Sequence, residues 1–362
     1  MKVLHAAETI KGGVATVLRQ LVINQQDNDD ISSLTCLVPD DQAEEVNTIR
    51  PEHIATFHRN GRNIVSFMRF FIGFVSLVLK KNPDVVHLHS TFSGVLGRIA
   101  LILLWPIRRP KVIYCPHAFS FLMQGSKNKR KLFSFIEKSL IGITDAIICV
   151  SEYERDKAIE YGLPADKLHV VYNGVPIVGN EVTSVNPYAD NVLNLLFVGR
   201  FDYQKGFDIL ASAMTKLQGL PFHLTAVGGS VHSKNDMAAI PQTTYTGWLN
   251  AAALVPYFQH ADVLVIPSRW EGFAMVSLEA MSYGLPMLAS NCTSFPEMID
   301  ENRTGLLFDL QYPEKLVSYL KDTPQEQWKL MGQEAKALFL NKFTADRMIK
   351  NTADLYKTVL GA

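Results

Sequence analysis

The stretch Val263-Leu264-Val265-Ile266-Pro267-Ser268-Arg269-Trp270-Glu271-Gly272-Phe273-Ala274-Met275-Val276-Ser277-Leu278-Glu279-Ala280-Met281-Ser282-Tyr283-Gly284-Leu285-Pro286-Met287-Leu288-Ala289 decides the fold. Residues 263–266 form a short, continuous apolar run, and 287–289 form another. Between them a glycine-containing loop leads into a helical pattern that begins near Phe273 and stops at Gly284-Leu285-Pro286, where glycine and proline end helices. Strand, loop, helix and strand in succession is the repeating unit of a parallel sheet covered on both faces. Outward from this unit the same alternation fills the chain. Residues 193–198, 222–227 and 243–246 read as strands, as do 3–6, 34–38, 85–88, 112–115, 146–150 and 169–172. Helical periodicity runs through stretches such as 14–24 and 151–161. A polar, turn-rich interval from Val178 to Pro187 divides the two series. The reading predicts an α/β protein of two Rossmann-like doubly wound domains facing each other across a cleft. They cover 1–177 and 192–343, with a linker over 178–191 and a helical tail over 344–362.

Composition narrows the function classes. The 362 residues carry zero formal net charge, with 48% hydrophobic and 19% charged residues. That is material for sizeable cores and unlike a disordered chain. Cys36, Cys115, Cys149 and Cys292 stand far apart with no CxxC pair, which excludes a zinc ribbon or disulfide scaffold and fits a reducing compartment. The amino terminus reaches Glu8 too soon for a signal peptide, and no run approaches the roughly 20 apolar residues that span a bilayer. A soluble, cytoplasmic protein is therefore expected. The charge is unevenly spread, however. Residues 59–138 hold 14 Lys/Arg against Asp84 and Glu137, a net of +12. Phe67, Phe70, Phe71, Phe74, Trp105, Phe119, Phe121, Phe133 and Phe135 are interleaved with them. Such a pattern suits an anionic membrane surface, and it equally describes a solvated basic face over core aromatics. No nucleic-acid-binding motif accompanies it, so nucleic acid is not an expected partner.

Ligands of doubly wound sheets bind beyond the carboxyl ends of the strands, and four loops there hold chemistry-bearing residues. Lys11-Gly12-Gly13-Val14 opens a helix after the first strand and lets a phosphate or sugar approach the backbone, although two glycines also make a plain turn. It is not GxGxxG, and the chain has no P-loop. After 193–198 comes Gly199-Arg200-Phe201-Asp202-Tyr203-Gln204-Lys205-Gly206. Its forked cation and flexible cation suit a diphosphate whose negative charge grows as its bond breaks. In the 263–289 stretch, Glu271 precedes the helix and Glu279 is expected two turns in, at a helix N-terminus suited to an anion. Their separation of eight carries nothing alone, since Glu44/Glu52, Glu152/Glu160 and Glu326/Glu334 repeat it; the preceding strand and Gly272 single them out. The fourth loop, Tyr114-Cys115-Pro116-His117-Ala118-Phe119, carries a histidine that can meet a sugar hydroxyl or simply satisfy a turn. His87 and His89 share a face of one strand as metal ligands do, but no acidic or Cys partner is near them in sequence. No metal and no cofactor is expected.

Taken in order, these segments resemble the retaining group-1 glycosyltransferases of the GT-B fold, of the bacterial surface-polysaccharide type. Gly12-Gly13 resembles that family's N-terminal glycine loop, Asp84-Val85-Val86-His87-Leu88-His89 one of its strands, and Pro116-His117-Ala118 its active-site histidine segment. Val150-Ser151 and Val171-Tyr172-Asn173-Gly174-Val175 resemble its segments before the linker. Gly199-Arg200 through Lys205-Gly206 resembles its diphosphate loop, and Glu271 through Glu279 its paired-glutamate motif. Ala118 and Ala274 depart from the pattern, which often has glycine there.

The resemblance implies a role for each site. Arg200 and Lys205 hold the donor diphosphate, and Gly13 lets it lie against backbone. Glu279 accepts the ribose hydroxyls. Glu271, with the backbone of Gly272, Phe273 and Ala274 and the neighbouring Val276, grips the transferred sugar. His117 meets the sugar or the acceptor. Thr246-Gly247-Trp248-Leu249 seats the base, although Trp248 also suits a core. The implied reaction moves a sugar from a nucleotide diphosphate sugar, UDP favoured over GDP, to a glycan, with retention and without a divalent metal. The tail over 344–362 is implied to return to the first domain. With the basic segment placed in the acceptor domain, the expected acceptor is a lipid-linked glycan at the inner face of the cell membrane, in O-antigen, capsule or exopolysaccharide synthesis. A sugar-nucleotide epimerase of related fold and a GDP-mannose-type mannosyltransferase are the alternatives. A glycan phosphorylase would need a pyridoxal-phosphate lysine, for which no segment argues.

Overall fold

Short apolar runs bounded by turn residues become covered parallel strands, and the amphipathic stretches between them become the covering helices. The structure, a computed structural model, describes residues 1–178, 184–230 and 240–361. Residues 179–183 of the expected linker and Ala362 of the expected tail lie outside the described residues. The chain divides into two compact units, Met1–Gly174 with Ala345–Ala362, and Val175–Thr344.

In the first unit the elements run β1 (Lys2–Ala7), α1 (Gly13–Gln26), β2 (Ser33–Pro39), β3 (Ile54–Phe57), α2 (Ile64–Lys81), β4 (Val85–His89), α3 (Thr91–Leu104), β5 (Lys111–Cys115), α4 (Lys127–Leu140), β6 (Ala146–Cys149), α5 (Glu152–Glu160) and β7 (Leu168–Val170). The strands pair in parallel in the order β3-β2-β1-β4-β5-β6-β7. The order reverses between β1 and β4, which places a crevice at their carboxyl ends. Side-chain caps fix several helix starts: Asn63, Ser126 and Ser151 accept backbone N–H bonds at α2, α4 and α5. Phe70, Phe74, Leu101 and Leu104 pack from α2 and α3 onto Leu4, Leu37, Val86 and Leu88 to form the core.

The second unit runs β8 (Leu193–Arg200), α6 (Phe207–Lys216), β9 (Phe222–Gly229), β10 (Thr243–Gly247), α7 (Ala251–His260), β11 (Val263–Ile266), α8 (Met275–Tyr283), β12 (Met287–Ser290), α9 (Phe295–Met298), β13 (Gly305–Phe308), α10 (Glu314–Asp322) and α11 (Gln325–Lys342). Its sheet is also parallel, ordered β10-β9-β8-β11-β12-β13, and reverses between β8 and β11. The last helix, α12 (Ala345–Leu360), belongs to the first unit, where the Tyr356 hydroxyl lies 2.6 Å from His87 Nδ1.

Three expectations need correction. β3 and β13 were not foreseen; both are four-residue edge strands, too short to show a period, and β13 opens on a glycine. The last strand of the first unit runs over 168–170, not 169–172. Helix α8 starts at Met275, because Phe273 and Ala274 are buried in the preceding loop, so Glu279 stands one turn in and not two. Among the described residues, no helix is long and apolar enough to cross a membrane.

Candidate active site

In the second unit, the loops leaving β8 and β11 press on each other at the sheet's reversal. Gly206 makes this possible. At φ +65°, a Cβ there would lie 1.9 Å from the Pro267 carbonyl oxygen, so a side chain is excluded. The apposition brings Lys205 Nζ to 2.6 Å from Glu271 Oε1, to which Ser268 Oγ also donates at 2.8 Å. The Glu271 amide donates to Thr293 Oγ1 at 3.3 Å. Arg200 leaves β8 with Nε 3.0 Å from an Asp202 oxygen and Nη2 2.7 Å from Gln204 Oε1. Gln204 in turn donates to the Trp270 carbonyl at 3.3 Å. Arg200 and Lys205 are thus pre-positioned cations, each resting on an acidic neighbour that an arriving anion can replace. Arg269 differs: it forks onto Asp208 with two 2.7 Å bonds and lies 3.7 Å over the Tyr203 ring, so its charge is already committed.

The remaining expected donor residues divide between the two units. Trp248 is 62% exposed, which removes the core alternative for it. Its indole flanks Gly229, the register partner of Arg200, where an added Cβ would meet Nε1 at 3.3 Å. Leu249, Gly272, Val276 and Glu279 are half-buried, and Phe273 and Ala274 are buried, the Phe273 ring tilted against Phe343 at 5.6 Å. Glu279 stands beside Tyr283, whose hydroxyl pKa is raised by burial and then by that carboxylate. Gly13 and His117 belong to the first unit.

There the strands β1 and β4 carry buried histidines, and His117 follows β5 half-buried. The β1–β4 register sets His5 opposite His87 and Ala7 opposite His89. His5 Nδ1 lies 3.0 Å from His89 Nε2, and His89 Nδ1 lies 3.0 Å from His117 Nε2. His5 Nε2 is 2.7 Å from Gln25 Oε1. Burial holds His5 and His117 down to about 4 and His87 and His89 well below the usual imidazole range, so all four are neutral at pH 7. One nitrogen each of His5, His87 and His89 falls within 4.8 Å of the others, a spacing that suits a metal. Both nitrogens of His5 and of His89 are nevertheless spent on hydrogen bonds.

Gly13 opens α1 at an exposed position, after Gly12 at φ +82°. His117 and Ala118 hold φ of +54° and +128°, a left-handed turn of two non-glycine residues. Strain of about 1–3 kcal/mol per residue is usual in such regions. It gives a physical reason for glycine being frequent at position 118 in the sequences this segment resembles.

Sequence reasoning missed His5, Gln25, Ser268 and Thr293. His5 sits within an apolar strand, and only the β1–β4 pairing makes it a neighbour of His87. Ser268 lies inside the quoted stretch, but its contact with Glu271 depends on how the loop folds.

Comparison with known proteins identifies the family and the fold. Residues 11–178 match the family model Glycosyltransferase Family 4, and residues 193–323 match Glycosyl transferases group 1. The chain is 35% identical over 365 residues to an uncharacterized 41.2 kDa protein in the cps region of Klebsiella pneumoniae, covering 99% of this chain and 100% of the relative. It is 25% identical over 330 residues to the UDP-Gal:alpha-D-GlcNAc-diphosphoundecaprenol alpha-1,3-galactosyltransferase of Escherichia coli, covering 85% of this chain and 84% of that one. In fold it is similar to sucrose-phosphate synthase from Thermosynechococcus elongatus, with a TM-score of 0.82 at 17% identity over 100% of both chains. Two parallel Rossmann-like units and the matched families lead to one conclusion: the chain belongs to the group-1 glycosyltransferases of the GT-B fold, of the surface-polysaccharide type.

Proposed function

We propose that this glycosyltransferase moves a sugar, with retention of configuration, from a UDP-sugar to a lipid-linked glycan during O-antigen, capsule or exopolysaccharide synthesis. The observation that carries the proposal is the Lys205–Glu271 contact at 2.6 Å with Arg200 held in the same loop. Arg200 and Lys205 take the diphosphate and offset the charge that grows on the leaving nucleotide. Two fixed cations supply the compensation a divalent metal would otherwise give, so transfer runs without one. Glu271, with the backbone of Gly272, Phe273 and Ala274 and with Val276 beside it, holds the sugar hydroxyls. Glu279 takes the ribose, Trp248 and Leu249 the base, and Gly13 the diphosphate from the first unit. His117 meets the transferred sugar or the acceptor. Transfer is front-face: the leaving phosphate oxygen takes the proton of the acceptor hydroxyl as that hydroxyl attacks. Glu271 is no nucleophile in this scheme, since its role is to hold the sugar hydroxyls.

The E. coli relative's name supports a UDP donor and an undecaprenyl-diphosphate-linked acceptor. The outer faces of α2, α3 and α4, which pack side by side, support contact with the inner membrane leaflet. They expose Ile64, Ile72, Leu103, Trp105, Leu132 and Phe135 among exposed Arg62, Arg69, Lys80, Lys127, Lys129 and Lys131. Phe70, Phe74, Phe119 and Phe121, by contrast, are ordinary core. The test supplies labelled UDP-hexoses and GDP-mannose to the purified enzyme with membranes bearing undecaprenyl-diphosphate glycans. Label from a UDP-hexose should enter the glycolipid extract. Conversion to an isomeric sugar nucleotide without acceptor would favour the epimerase, and transfer from GDP-mannose alone the mannosyltransferase.

A further inference from the structure

We infer that Gln25 sets the direction of the hydrogen-bond chain Gln25–His5–His89–His117, so that His117 keeps its proton on Nε2 and offers a bare Nδ1 to a substrate hydroxyl. The inference rests on the proposed placing of His117 at the sugar or acceptor.

A neutral imidazole has one N–H donor and one lone-pair acceptor, so a chain of them runs one way or the other and never both. Gln25 Oε1 faces His5 Nε2 at 2.7 Å and can only accept, so the His5 proton is on Nε2. His5 Nδ1 then accepts from His89 Nε2–H at 3.0 Å. His89 Nδ1 in turn accepts from His117 Nε2–H, also at 3.0 Å. Nδ1 of His117 is left as the acceptor at the open end. The other end is anchored by α12: the Tyr356 hydroxyl bonds both the Gln25 side chain and, at 2.6 Å, His87 Nδ1.

Burial keeps the chain intact. Gln25, His5 and His89 are buried, whereas His117 is half-buried and is the member that meets solvent. An imidazolium at His5 or His89 would lose an acceptor that the chain uses, and burial disfavours that charged form. The His117 ring stacks on His89 with centroids 5.3 Å apart, on the left-handed backbone at 117–118. A bare Nδ1 accepts from a hydroxyl and repels an oxyanion, so His117 would discriminate for a sugar or acceptor hydroxyl and against phosphate. Gln25, His5 and His89 are then positioning residues, and a bound metal would need lone pairs that the chain has already used.

The test reads tautomers directly in the full-length protein. Long-range 1H–15N correlation on 15N-histidine-labelled enzyme distinguishes Nδ1–H from Nε2–H in each neutral ring, with His117→Asn identifying the His117 signals. The wild type should show His117 as the Nε2–H form. Gln25→Met, which removes the amide oxygen at similar volume, should shift His117 toward Nδ1–H. A wild-type His117 protonated on Nδ1, a His117 tautomer unmoved by Gln25→Met, or stoichiometric zinc retained by the purified protein would each overturn the inference. The wild-type spectrum decides the direction alone if Gln25→Met does not fold. Because tautomers are read without substrate, an Nδ1-protonated His117 in an active transferase defeats this inference only. Intact tautomers in a protein that transfers no sugar defeat the functional proposal instead.

Discussion

The two units build the same frame and equip it oppositely. Each sheet is parallel and reverses beside its first strand, at β1/β4 in one and β8/β11 in the other. At the ends of β8 and β11 stand charges: Arg200 bonded to Gln204, and Lys205 bonded across the two loops to Glu271. Within β1 and β4, and in the loop after β5, stand neutral histidines joined at 3.0 Å and mostly buried. The difference teaches that one fold serves two chemistries: fixed charge suits a diphosphate, and directed neutral hydrogen bonds suit hydroxyls. The second unit should therefore respond to loss of cations, and the first to protons.

The sharpest break of that contrast is Lys205→Ala. Losing one pre-positioned charge at a developing anion should lower the transfer rate by about 10²–10³-fold. Steady-state kinetics checks this, and Arg269→Ala, whose charge is committed to Asp208, should cost far less. Acid is next. The folded pKa of His5 is depressed from 6.5 to about 4 by burial, so its stabilisation is complete above pH 6.5 and is lost as pH falls toward 4. At 1.36 kcal/mol per pH unit, the loss is on the order of 3 kcal/mol. Gln25, His87 and His89 are packed around it, with Tyr356 behind Gln25 and His87. Hydrogen exchange across that range should show β1 and β4 opening while β8 and β11 stay protected; equal loss in both sheets would erase the contrast. A smaller effect is expected at the first unit's basic face, where Lys131→Gln should weaken binding to anionic vesicles about fivefold, from roughly 1 kcal/mol per cation. Cosedimentation measures it. Smallest is Ala118→Gly, which should relieve the φ +128° strain and raise stability by about 1 kcal/mol, or roughly 2–4 °C in Tm.

Much of the frame was legible because apolar runs and their breaks are local. The strand at 263–266 and the stop at Gly284 with φ +78° could be read from adjacent residues alone. β3 and β13 could not, because a four-residue edge strand has too little pattern. The candidate site divides the same way. Arg200, Lys205 and Glu271 were visible as types in loops, but the 2.6 Å contact joins residues 66 apart and depends on Gly206. His87 and His89 are visible as a pair on one strand face, whereas sheet order joins His89 to His5 and His117, and α12 brings Tyr356 to His87.

The most direct test of the donor site is thermal stability of the wild type, Arg200→Ala and Glu279→Ala with UDP- and GDP-sugars. A donor held at 100 times its dissociation constant should add about 2.7 kcal/mol to the wild type. The expected result is a shift with a UDP-sugar that both substitutions abolish. An equal shift in all three proteins would contradict the account, because the donor would then be bound without the residues placed around it.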